Sequence, residues 1–348
     1  MAGHPDGLVY HHPAWLEVLG REYGQAPVGL ACEDVNGELR GVLPLLPTRG
    51  LPFGRGGQLT GRRLSSLPRT PLAGPLALDS EATLALVYAA MERVRADPRS
   101  RLELKMASDE LSGRVNGLVC TPWRLTYVLD LPDRPDALRF GNSRNHTRIK
   151  WAVNKATKLG LQVRPATTTQ DLRAWYALYL ETMRWHALPP RPYRLFEAAW
   201  ELLRPRGQMR LLLAEQHAAG RTRLLAGSIL LMLGRTVFYA FNGRRREDLA
   251  LRPNDLIQWQ AIHDACREGF RHYDFGEVAE SHEGLAEFKA KWGAEPRRLY
   301  RYYYPAPAHL ETDHAAPGTA SGRLARAGWQ RVPLPVTALV GTWLYRYL

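Results

Sequence analysis

Residues 251–294 read LRPNDLIQWQAIHDACREGFRHYDFGEVAESHEGLAEFKAKWGA, and the punctuation of this stretch decides the architecture. Asn254 caps a helix after Pro253, with Leu256, Trp259, Ile262 and Cys266 at helical spacing and Gly269 as its stop. Phe270 to Gly276 reads as a short strand. It ends on Tyr273-Asp274-Phe275-Gly276, which delivers a carboxylate to a strand end, where sheet proteins commonly place their chemistry. A second short helix follows, with Ser281 as its cap, Leu285, Phe288 and Trp292 as its apolar face, and Gly293 as its stop.

Outward from this unit, the two halves of the chain repeat a crude grammar. In the first, His12-Pro13-Ala14-Trp15-Leu16 opens a helix, and VGLACE, the turn Val35-Asn36-Gly37-Glu38 and LRGVLPLL form a hairpin. In the second, Thr169 to Met183 is a helix with Leu172, Tyr176 and Tyr179 on one side. MRLLLAEQ and LLAGSILLML then pair through Gly220, and TVFYAF continues the sheet after Gly234-Arg235. The expectation is a mixed α/β (α+β) chain of two similar units in tandem, each a short central sheet flanked by helices. The domains fall at 1–135 and 166–305, with a basic connecting helix at 136–165 and a linker with an aromatic tail at 306–348.

The sequence P-N-x-L-x-x-W (Pro253, Asn254, Leu256, Trp259), then G-x-x-x-Y-D-F-G (Gly269, Tyr273 to Gly276), then G-L-x-x-F-K-x-x-W-G-A (Gly284, Leu285, Phe288, Lys289, Trp292, Gly293, Ala294) resembles the Fem-like branch of the GNAT acyltransferase superfamily. The resemblance spans most of residues 10–305 and implies two GNAT-like domains and an enzyme that forms an amide by transferring an activated acyl or aminoacyl group to an amine. It implies no tightly bound cofactor. The donor is aminoacyl-tRNA, as in relatives that extend peptidoglycan precursors, or acyl-CoA, as in relatives of envelope-polysaccharide and small-molecule metabolism. The acceptor is an amine on a cell-envelope precursor, lipid-linked forms included, or a related metabolite.

Acyl transfer needs positioning, an oxyanion stabiliser and a proton acceptor, and little covalent machinery. No Ser-His-Asp or Cys-His set is evident, and the adjacent His11 and His12 read as surface residues. Lys289 stands among apolar neighbours on its helix, so its cation must snorkel or meet an anion, whereas Lys291 pairs with Glu287 on the exposed side. The resemblance assigns Lys289 to the active centre, binding a donor phosphate or stabilising developing negative charge. Asp274, with Glu277 behind it, either accepts the amine's proton or ties down the following loop through backbone N–H groups. Tyr239 and Asn242 line a groove for donor or acceptor, and the resemblance places Arg184 against substrate. The same set includes Asn254, Trp259, Tyr273, Glu277, Phe288 and Trp292. One departure stands out. The glycine-rich loop that cradles the CoA pyrophosphate is replaced by Arg245 to Pro253, RREDLALRP, which leaves the open N–H groups after Asn254 and Arg245, Arg246 or Arg252 to meet a phosphate.

The formal net charge of +13 directs attention to an anionic partner. From Arg139 to Arg164 there are seven basic residues (Arg139, Arg144, Arg148, Lys150, Lys155, Lys158, Arg164) and no acid. Arg144, Arg148, Lys155 and Arg252 are the candidate phosphate contacts. The alternative is a solvated linker helix that docks through Trp151 and Asn154. A non-catalytic module that holds nucleic acid or anionic lipid on the strip is the rival from another class, and it predicts salt-sensitive binding without turnover. The tail WQRVPLPVTALVGTWLYRYL combines aromatic residues, leucines and Arg331 and Arg346, as an interfacial anchor on an anionic membrane would, or a segment packed on the protein's own surface. Three cysteines without metal-ligand spacing, and an N-terminus without a secretory pattern, lead us to expect a cytoplasmic protein, peripheral at most, without metal and without a stable protein partner.

Overall fold

The computed structural model describes residues 4–50, 62–97, 99–218, 220–307 and 320–347. In chain order the elements are α1 (Pro13–Tyr23), β1 (Val28–Glu33), β2 (Leu39–Thr48), β3 (Arg62–Ser65), β4 (Leu76–Ala77), α2 (Ser80–Arg95), β5 (Ser100–Met106) and β6 (Val119–Asp130). There follow α3 (Ser143–Lys158), β7 (Leu161–Pro165), α4 (Thr169–His186), α5 (Tyr193–Leu202), β8 (Met209–Ala218), β9 (Arg221–Leu233) and β10 (Thr236–Arg244). The chain closes with α6 (Pro253–Arg267), β11 (His272–Val278), α7 (Glu283–Ala290), β12 (Glu295–Tyr304), α8 (Ala320–Arg331) and α9 (Leu334–Leu344).

The chain forms two compact units, residues 1–126, 297–313 and 343–348 in one and 127–296 and 314–342 in the other. These limits differ from the sequence-drawn domains. The basic helix α3 lies inside the second unit rather than standing apart as a connector, and most of β12 counts with the first. The linker expected after Pro305 falls largely outside the described residues.

In the first unit α1 opens at His12-Pro13, as the sequence led us to expect; His12 caps it by accepting from Ala14 N, Pro13 takes the first helical position and Gly24 closes the helix in the left-handed region. His11 is not the surface residue expected: its ring hydrogen-bonds the Gly74 carbonyl, and burial draws its pKa down to about 4. Strands β1 and β2 form the anticipated hairpin, its turn held by Asp34, which accepts from the N–H groups of Asn36 and Glu38. Strands β3 and β5 run parallel with α2 between them in sequence, and β12 pairs antiparallel to β5. Leu43, Leu45, Leu86, Met91, Leu102, Leu104 and Tyr302 form the core under this sheet.

The second unit repeats the plan. β7, β8, β9 and β10 form an antiparallel meander, and β10 runs parallel to β11 with α6 between them in sequence. The apolar run Leu224–Leu233 is the buried strand its composition suggests. Helix α4 starts on a capping box of Thr168 and Asp171 and lays Trp175 across the sheet, where its indole N–H donates to the Gly227 carbonyl. A Cβ on Gly227 would sit 2.6 Å from Trp175 and 2.8 Å from Leu213, so a glycine is what lets the ring close on the strand. Arg164, the last of the basic run, is on β7 and bonds Asp171 and Glu215, so acids distant in sequence consume its charge.

Candidate active site

Strands β10 and β11 stay in register for three residue pairs, Thr236 with His272, Val237 with Tyr273, and Phe238 with Asp274. Beyond Phe238 the pairing stops, and β10 carries a register irregularity between Tyr239 and Phe241. The two strands therefore part just where the sequence places Tyr239 on one and Asp274 to Glu277 on the other. Gly276 has a φ of 81°, which a residue with a side chain would resist, and a Cβ added there would lie 3.9 Å from the Tyr239 carbonyl and 4.0 Å from Lys289 Nζ.

Lys289 enters this opening from α7. Its side chain is buried, and Nζ donates to the carbonyls of Gly276 at 2.7 Å and Glu277 at 3.3 Å. Burial lowers its pKa to about 8, while the neighbouring Asp274 and Glu277 pull the other way and hold the ammonium form. An ammonium has three donors, so two backbone bonds leave one for a reacting group. Asp274 is buried as well, and one carboxylate oxygen accepts from Gly276 N at 2.7 Å, the loop-fixing role that the sequence left open beside the catalytic one.

The opposite wall is polar. Asn242 donates to Ser228 Oγ at 3.1 Å and to Asn254 Oδ1 at 3.3 Å, and burial raises the phenol of Tyr239 beside them. Tyr273 donates to Gln258 Oε1 at 2.8 Å. Sequence reasoning passed over Ser228 and Gln258. Each left a signal, since Ser228 is the one hydroxyl in the apolar run Leu224–Leu233 and Gln258 stands four residues after Asn254, on the same helical face.

Several expectations change. Arg252 is the N-cap of α6 in a left-handed conformation, φ 65°, and Asn254 sits one residue inside the helix, where its side chain is free to meet Asn242. His282, not Ser281, precedes α7, and Leu285 is exposed rather than part of its apolar face. Lys291 does not pair with Glu287: its ammonium meets the buried Asp255 at 2.6 Å and lies over the rings of Phe288 and Trp292. Tyr273 and Trp292 are fully enclosed, Trp292 against Phe140 and Phe275, so both form the backing of the site and not its surface. Trp259 packs on His263 and Phe140 in the same backing. Arg184 donates to the Val332 carbonyl and lines a cleft of about 220 Å³ with Thr182, Trp185, Arg244 and Arg246, at the end of β10.

The phosphate candidates converge more than expected. Helix α3 docks through Ile149, Ala152 and Ala156, leaving Arg144, Arg148, Trp151 and Lys155 along one face. Trp151 is 55% exposed and is not the docking residue foreseen; Asn154 is exposed too. The Lys155 ammonium lies 5.4 Å from the centre of its ring and the Arg252 guanidinium 5.7 Å, so an aromatic plate joins α3 to the start of α6. Arg245 bonds the Leu224 carbonyl and Arg246 stacks on Trp185, so neither is held at the α6 N-terminus. No cluster of metal-ligating side chains occurs among the described residues.

Two parallel strands that part beside a buried lysine, on a plan repeated in two units, are the architecture of the GNAT fold. Residues 143–290 match the family model described as the acetyltransferase (GNAT) domain, and the chain has the GNAT fold. It is similar to the crystal structure of FemX, with TM-score 0.68, 18% identity, and 87% of this chain and 94% of that one covered. The C-terminal domain of a putative lysylphosphatidylglycerol synthetase from Agrobacterium fabrum gives 0.57 at 14% identity, covering 86% and 90%. The L-PGS of Bacillus licheniformis gives 0.53 at 10% identity, covering 96% and 97%. No curated protein matches the sequence.

Proposed function

We propose that the chain transfers an aminoacyl group from aminoacyl-tRNA to an amine on a cell-envelope precursor, forming an amide. The observation that carries this reading is the Lys289 ammonium held by two carbonyls in the opening between β10 and β11. In the reaction the acceptor amine attacks the ester carbonyl, the C–N bond forms, the ester C–O bond breaks, and the amine's proton passes to the departing ribose hydroxyl. The third donor of Lys289 faces the oxyanion that develops, and Glu277 or Asp274 relays the proton. Tyr239, Asn242 and Asn254 orient the acyl group. Arg184 and Phe288 are the acceptor-side contacts in this scheme.

Two observations favour tRNA over acyl-CoA as the donor. The loop Arg245–Pro253 lacks the glycines of a pyrophosphate cradle. The stripe of Arg144, Arg148, Lys155 and Arg252 around Trp151 offers cations to a phosphate backbone and a plate for an unpaired base. Incubation of the purified enzyme with labelled aminoacyl-tRNA, or with labelled acetyl-CoA, and an amine-bearing envelope precursor decides the donor. Amide product from acetyl-CoA alone would overturn the assignment.

Changing Arg144, Arg148 and Lys155 together to Gln is expected to weaken tRNA binding. It should also flatten the plot of log affinity against log salt by about two units, because each cation that neutralises a phosphate releases about 0.7 to 0.9 counterions. Filter binding across a salt series reads this, and an unchanged slope returns the helix to the solvated-linker reading. The pH profile tests Lys289. With its pKa at about 8, the cation is lost as pH rises through that value, so kcat/KM should fall on the alkaline side. The residual activity of Lys289→Met should lack that limb.

A further inference from the structure

Helix α9 is held by one face and presents apolar side chains on another. Thr337 is fully buried, and Gly341 meets the Pro190 carbonyl so closely that an added Cβ would lie 2.1 Å from it. On the outer side Val336 is 44% exposed, Leu339 69% and Trp343 43%. Their spacing of three and then four residues places them on one stripe of one helix. Leaving two aliphatic side chains and the outer part of the Trp343 ring, which packs on Tyr347 at 5.4 Å between ring centres, in water on the same stripe forfeits part of the stabilisation their burial would bring, and such contiguous apolar surface marks a partner.

The charges around the stripe identify that partner. Arg326 and Arg331 on α8 and Arg346 just past α9 are exposed, and residues 314–348 contain no Asp or Glu beyond His314. Among the described residues no helix is long and apolar enough to cross a membrane. A short helix with apolar side chains outward, arginines at its flanks and no acid nearby in sequence fits the boundary between headgroups and acyl chains of an anionic bilayer. We propose that α9 docks the protein on an anionic lipid surface, with Val336, Leu339 and Trp343 entering the acyl boundary and Arg331 and Arg346 meeting lipid phosphates. Membrane docking is independent of the donor assignment, and a failed transfer assay leaves it standing.

The test is co-sedimentation of the full chain with large vesicles of phosphatidylcholine alone or mixed three to one with phosphatidylglycerol. Wild type is expected to sediment with the anionic vesicles and at least tenfold less with the neutral ones. The double variant Val336→Ser and Leu339→Ser should lose binding to anionic vesicles at least tenfold while melting as wild type does, since both side chains are already exposed. Arg331→Gln with Arg346→Gln should reduce the preference for phosphatidylglycerol. The α3 variant Arg144→Gln, Arg148→Gln, Lys155→Gln separates the two basic surfaces and should still sediment. Equal binding by wild type and the serine variant, or no sedimentation of wild type, overturns the proposal. So does a concentration-dependent dimer in analytical ultracentrifugation that Leu339→Ser abolishes, which would assign the face to a second copy of the chain.

Discussion

Lys289→Met is expected to lower turnover by roughly a hundredfold or more, the scale on which loss of one preorganised electrostatic contact acts. Methionine keeps most of the aliphatic stem and deletes the ammonium that bonds the Gly276 and Glu277 carbonyls. Those two acceptors lose a buried partner, which costs about 1–3 kcal/mol each at most. Part of that is offset because a desolvated cation is no longer held in the fold. Activity should therefore fall far more than stability. Single-turnover rates with aminoacyl-tRNA, alongside a thermal melt, separate the two. Wild-type turnover in the variant would remove Lys289 from the chemistry.

Lys291→Met is expected to do the reverse. Its ammonium is the close partner of Asp255, a carboxylate on the first turn of α6 whose side chain is 7% exposed, and Arg252 stands farther off at 3.9 Å. Removing one member of such a pair leaves a buried charge and costs about 3–5 kcal/mol. In a unit of this size that lowers the melting temperature on the order of 10 °C. Adding Asp255→Asn should recover much of the loss, because the stranded charge disappears with its partner. A Lys291→Met protein that melts with wild type would mean that water or Arg252 already satisfies Asp255.

The contrast between these lysines measures what the sequence could convey. Helical spacing sets Lys289 among apolar neighbours, and the family resemblance singles it out for attention. The same spacing puts Lys291 beside Glu287, because a helix drawn alone offers only partners three or four residues away. Asp255, 36 residues earlier, becomes the partner only when α7 packs on α6. Arg164 misleads for the same reason: a run without acids looks like a run of free cations, while Asp171 and Glu215 stand on other elements. Local signals do better for the elements themselves. The His12-Pro13 start of α1, the turn between β1 and β2, the helix over Thr169 to Met183 and the buried run of β9 depend on neighbours in sequence, and each stands where the sequence puts it. Caps involving an unusual backbone do not. Nothing in RPN announces that Arg252 takes the left-handed conformation and passes the helix start to Pro253. Trp151 is displayed where docking was expected, because an aromatic residue inside a charged helix is more often buried.

The parting of β10 and β11 after Phe238 and Asp274 gives this sheet two margins in its interior rather than only at its ends. A margin of strand offers N–H and C=O groups at the repeat of an extended peptide, so the gap favours a guest whose own amides keep that repeat. A donor or acceptor with a peptide-like arm would be held along its length as a temporary strand, with its reactive carbonyl fixed by register. Lys289 is bonded to one of these margins, through the carbonyls of Gly276 and Glu277.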